Sequence, residues 1–107
     1  MKKKVLGLYD SNITYMEKLY KYLEDDRRIG FSLCAFTSEE KINDFLEKEK
    51  IDYLIVSEDK GKKIKGVGKT IYIYEDAQND GIFRYSPGDV VVDRLIEIIG
   101  VGETEYL

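Results

Sequence analysis

The sequence predicts an α/β domain with a central parallel sheet of five strands. The stretch "DYLIVS" at 52–57 is apolar on both faces, as in a buried strand covered by helices on each side. Strand and helix patterns alternate before it, and strands joined through helices run parallel. The chain of 107 residues suits one domain, which we place at 1–100, with 101–107 as a tail or the start of a linker.

The first half of the chain is predicted to be β-α-β-α-β. Strands are expected at 4–9, 31–36 and 52–57. A helix over 12–25 would be capped by Asp10 or Ser11, and its apolar face is formed by Ile13, Met16, Leu19, Tyr20 and Leu23. In the second helix, Thr37 and Glu40 fit a capping box, and the helix continues to about residue 49, burying Ile42, Phe45 and Leu46.

The second half is predicted to hold two further strands and one helix. The strands are expected at 70–74 and 82–86. The last helix would start near Asp89 and end before Gly100, with its inward side formed by Val91, Val92, Leu95, Ile96 and Ile99. Residues 58–69 read as a lysine- and glycine-rich loop. Two of the crossover helices of such a sheet are therefore expected to be shortened or missing.

Composition narrows the functional classes. The chain is 43% hydrophobic and 36% charged, which predicts a folded domain. Its net charge of −4 gives no reason to expect nucleic acid as a binding partner. It has no histidine, which removes the commonest general base and most zinc sites. Cys34 is the single cysteine and reads as a buried small side chain. Neither a secretory signal nor a membrane span is predicted, and these features favour the cytoplasm.

Polar residues directly follow several of the predicted strands. They are expected at the carboxyl edge of the sheet, where parallel α/β sheets have their binding and active sites. Ser57 ends the central strand. Arg84 is expected either to pair with Asp10 or Glu58 or to be a plain surface arginine. A cation could sit among the edge acids, which are Asp10, Glu58, Asp59, Glu75 and Asp76. Solvation and helix capping explain these acids better, so no metal is predicted and Asp10 is only a weak candidate ligand.

The layout over residues 3–100 resembles the receiver domain of two-component response regulators, a flavodoxin-like fold of strand order 2-1-3-4-5. The resemblance implies an acid pair after the first strand, where "YD" keeps only Asp10. A receiver also carries a phosphoacceptor aspartate, a serine or threonine after the fourth strand and a lysine after the fifth. The resemblance implies that Ser57, about Tyr74 or Glu75, and Arg84 stand at or near these positions in this chain. Because a serine hydroxyl is not a carboxylate nucleophile, the resemblance implies a degenerate receiver pocket formed by Asp10, Ser57, Glu58 and Arg84.

A narrower resemblance is carried by four strings in order: "YDSN" at 9–12, "FTSEE" at 36–40, "LIVSED" at 54–59 and "FRYSPGD" at 83–89. Together they are similar to the N-terminal domains of TadZ/CpaE-type pilus-assembly ATPases, relatives of MinD and ParA. In that family the ATPase lies C-terminal to such a domain. The resemblance implies a targeting domain.

The string "GVGKT" at 66–70 looks like the end of a Walker A loop. The motif needs a glycine at position 63, where Lys63 stands, and it must lead into a helix. Thr70 instead starts a predicted strand. We therefore interpret 58–69 as a surface loop, and if it has a role, contact with an acidic partner is favoured over nucleotide binding.

The expected function is a non-catalytic interaction or localisation module that binds a protein partner or a second copy of itself and needs no cofactor. Its candidate interface is the sheet face left uncovered by the shortened helices, together with the last helix, and comprises Tyr72, Tyr74, Tyr85 and Leu95. Edge packing is the alternative explanation for these tyrosines. Two other functions stay open: a phosphate-responsive receiver with an unusual acceptor, and a nucleotide or flavin binder, although the first turn lacks a glycine-rich phosphate loop.

Overall fold

The computed structural model describes residues 3–27, 29–58, 64–76 and 81–99. Its strands are β1 (Val5–Tyr9), β2 (Ser32–Phe36), β3 (Tyr53–Ser57), β4 (Lys69–Tyr74) and β5 (Ile82–Phe83). Its helices are α1 (Ile13–Asp25), α2 (Glu39–Leu46) and α3 (Gly88–Ile99). Residues 59–63 of the predicted loop, residues 77–80 of the predicted turn and the whole predicted tail at 101–107 lie outside the described residues, and so does Asp59.

The five strands form one sheet in the order β2-β1-β3-β4-β5, and every neighbouring pair is parallel. This is the flavodoxin-like order, so the predicted fold class is confirmed. The connection over 75–81 between β4 and β5 is shorter than the dozen or so residues that a helical crossover takes. The fold is therefore flavodoxin-like with a reduced set of helices.

Helices α1 and α2 begin one or two residues later than the capping patterns predicted. Asn12 caps α1, since its side-chain oxygen accepts the N–H of Tyr15 at 3.0 Å. Ser38 caps α2 by accepting the N–H of Lys41 at 3.2 Å, so the capping role predicted for Thr37 is wrong. Asn and Ser stand next to the predicted residues in sequence, and such runs of capping residues leave the start ambiguous.

One face of the sheet, the α1/α3 face, is covered by helices α1 and α3. Its core is built from strand and helix side chains that are nearly all inaccessible: Leu6, Leu8, Met16, Leu19, Leu23, Ile55, Ile71, Ile73, Ile82, Val91, Val92 and Leu95. Burying each such aliphatic side chain contributes about 1.5–3 kcal/mol, so this face provides much of the stability. Ile13, predicted on the apolar side of α1, is 54% exposed because it is the first residue of the helix.

The opposite face, the α2 face, carries a smaller core beneath α2. It contains Val5, Tyr9, Phe36, Ile42, Ile51, Leu54, Val56 and Ile64. Gly7 in β1 leaves room for this cluster, since a Cβ there would lie 3.0 Å from the Phe36 ring. Phe45 and Leu46 are only partly buried at its rim, and Cys34 is half-buried rather than fully buried as predicted.

Three further features of the structure bear on the sequence predictions. Strand β5 ends at Phe83, so Arg84 and Tyr85 lie in the turn after it and not in a strand to residue 86. Lys69 and Thr70 lie in β4, as expected for a string that is not a Walker A loop. No helix within the described ranges is long and apolar enough to cross a membrane.

Candidate functional site

The candidate site lies at the carboxyl edge of the sheet, on the α1/α3 face. Tyr9 of β1 pairs in register with Val56 of β3, so the next residues, Asp10 and Ser57, stand at the same level on neighbouring strands. Both are buried, with 3% and 6% of their surfaces exposed, and they are the buried polar residues of the described chain. The topology therefore brings together the acid and the serine that the sequence singled out.

Asp10 forms an ion pair with Arg84 across the edge of the sheet. The Arg84 Nη1 donates to the Asp10 Oδ2 at 2.7 Å, and the side chains are 13% and 2% exposed. The other Asp10 oxygen accepts the N–H of Asn12 at 3.3 Å, just before α1 starts. The backbone N–H of Arg84 donates to Tyr74 O at 2.9 Å, which fixes the turn that carries the guanidinium. The predicted pairing of Arg84 with Asp10 is confirmed.

Two more groups contact Arg84, the Tyr15 ring and the Glu75 carboxylate. Its guanidinium carbon lies 4.7 Å from the centre of the Tyr15 ring, in a cation–π contact. Its Nε is 3.3 Å from Glu75 Oε1, an ion pair without hydrogen-bond geometry, since the buried Nε has no hydrogen-bond partner in the described part of the chain. Glu75 also accepts a hydrogen bond from the Tyr85 hydroxyl at 2.7 Å. Arg84 is thus a bridge from β1 through α1 to the end of β4.

The electrostatics of the site follow from this bridge. The hydrogen bond to Asp10 raises the pKa of the Arg84 guanidinium further above its already high value, against the opposing effect of burial. Burial raises the pKa of the Tyr15 hydroxyl, with Arg84 opposing and Asp10 adding to the effect. The hydrogen bond to Glu75 raises the pKa of Tyr85. All three groups therefore keep their protons across the neutral range.

Two buried oxygen atoms at the site have no hydrogen-bond partner among the described residues: Ser57 Oγ and Tyr15 Oη. A serine hydroxyl needs a nearby base to become a nucleophile. Among the described residues, none accepts a proton from Ser57, and the chain has no histidine. The arrangement thus holds an unactivated hydroxyl beside a carboxylate that is already neutralised.

The other predicted site residues are less involved. Glu58 is exposed, and Arg84 pairs with Asp10 and Glu75 rather than with Glu58. Within the described ranges, no cluster of three or more Asp, Glu or Cys side chains could hold a metal ion. A cation at Asp10 would have to compete with the guanidinium 2.7 Å from its carboxylate.

The candidate interface needs one correction. Leu95 is 0% exposed, because it points from α3 into the core of the α1/α3 face, so it is not a surface residue. Tyr72 and Tyr74 are half-buried with ring centres 6.1 Å apart, and Tyr72 packs against the α2-face core. Tyr85 is 66% exposed at the carboxyl edge, with its ring 5.6 Å from that of Phe83.

Sequence reasoning missed the part played by Tyr15 and the Glu75–Tyr85 hydrogen bond. Tyr15 precedes Met16, so it borders the apolar side of α1 and faces the sheet edge from the first helical turn. The position of Tyr15 in the first turn of α1 was the available sequence evidence that its ring could contact residues just after the carboxyl ends of the strands. The Glu75–Tyr85 contact depends on the early end of β5, which the sequence pattern did not indicate.

In comparisons with known proteins, no family model, curated protein or solved structure matches the chain. The fold assignment rests on the order, direction and register of the strands.

Proposed function

We propose that this chain is a non-catalytic, receiver-like module that acts through protein contacts. The observation that carries the proposal is the Asp10–Arg84 ion pair beside Ser57. A receiver requires a carboxylate nucleophile at the end of β3 and acids free to hold a metal. Here the β3 end offers a hydroxyl, and the remaining acid is neutralised by an arginine.

The proposal extends to the larger protein in which such a module works. Within the described residues, the four strings that resemble TadZ/CpaE-type domains cover the last residues of β1, β2 and β3 and the turn after β5, at or next to the carboxyl edge. We propose a localisation role in an ATPase of that type. Sequencing the gene beyond residue 107 tests this: a deviant Walker ATPase would support the role, and a helix-turn-helix domain would contradict it.

The module itself is tested with a phosphoryl donor. After incubation with acetyl phosphate and Mg²⁺, intact-mass spectrometry is expected to show no added phosphoryl group. Ser57→Ala is the matched variant, since it removes only the buried hydroxyl. An added phosphoryl group on the wild type that is absent from Ser57→Ala would overturn the proposal.

That outcome would instead favour the second candidate function, a phosphate-responsive receiver with serine as acceptor. One observation supports this second candidate: Ser57 Oγ, at the position that the resemblance gives to the phosphoacceptor, is buried and has no hydrogen-bond partner in the described chain. Phosphorylation there would add about −1.5 to −2 charges beside Asp10. The Arg84 guanidinium would then have to leave Asp10 for the phosphoryl group.

A further inference from the structure

We draw no further inference here: the strongest candidate, the apolar recess of about 190 Å³ between α1 and the turn after β5, lined in part by Tyr15, Tyr22 and Tyr85, carries no proposal because nothing in the structure shows what covers it.

Discussion

Arg84 is the residue on which the carboxyl edge depends. It neutralises the buried Asp10 at 2.7 Å, stacks on Tyr15 and approaches Glu75. A buried ion pair is not a large net source of stability, but removing one partner leaves an uncompensated charge. The pair therefore fixes the geometry of the pocket more than it stabilises the fold.

Asp10→Asn is expected to lower the free energy of unfolding by about 3 kcal/mol, because it removes the buried counter-charge of the guanidinium and leaves only the longer contact with the exposed Glu75. Adding Arg84→Met should cost less than the sum of the single changes, since both charges are then gone. Urea denaturation of the single and double variants measures this coupling.

The matched control is Glu97→Gln, which removes a carboxylate from the exposed Arg94–Glu97 pair, where the glutamate is 67% exposed. That change should cost no more than about 0.5 kcal/mol. Equal costs for Asp10→Asn and Glu97→Gln would show that the Asp10–Arg84 pair is not buried as described.

Tyr15→Phe is expected to leave stability at pH 7 unchanged or slightly higher, because the buried hydroxyl has no hydrogen-bond partner among the described residues and the ring stays under Arg84. Burial raises the pKa of Tyr15 in the folded chain above the ordinary 10.0. As pH rises past 10.0, the unfolded chain loses the proton first, so wild type loses stability at alkaline pH. The variant should lose less in thermal melts above that pH. A variant that loses as much as wild type would contradict this.

At the scale of elements, the strands and helices were predictable from apolar periodicity, and so were the carboxyl ends of β1, β2, β3 and β4. The starts of α1 and α2 and the end of β5 were not. Neighbouring capping residues moved the starts of α1 and α2, where Asn12 and Ser38 are the caps. Strand β5 stops at Phe83 because the chain turns to bring Arg84 over the sheet edge. The turn allows Arg84 to reach Asp10, which is distant in the sequence, and local sequence patterns do not predict such a contact.

The start of β4 provides an element-scale prediction. Gly68 donates its N–H to Ile51 O at 2.9 Å, and a Cβ there would lie 2.4 Å from Asp52 O. Gly68→Ala should therefore push β4 away from β3 and cost about 2 kcal/mol in urea denaturation.

Gly30→Ala is the control for Gly68→Ala, since a Cβ at Gly30 meets nothing within 4 Å and its φ is not positive. It should be neutral or stabilising by about 0.5 kcal/mol. If both alanine variants behave alike, the close approach of β4 to Asp52 is wrong.

At the scale of the whole molecule, the parallel sheet and its order follow from the alternation of strand and helix. The meeting of Asp10 and Ser57 follows too, because carboxyl ends of parallel strands share one edge. The side-chain pairings do not follow from the alternation of strand and helix. Several acids could have paired with Arg84 by sequence, and in the folded chain its short contact is with the buried Asp10. Likewise Leu95 fits both an inward and an interface role by sequence, and packing places it in the core.

The claim that the receiver skeleton is kept while its phosphoryl site is closed is tested most directly by NMR. Amide resonances of the ¹⁵N-labelled chain are followed while beryllofluoride is added in the presence of Mg²⁺, with Mg²⁺ and fluoride alone as the control. Because Arg84 holds Asp10 and Ser57 supplies no carboxylate, we predict no change beyond the control at Asp10, Ser57 and Arg84. Saturable shifts concentrated at these three residues would contradict the account.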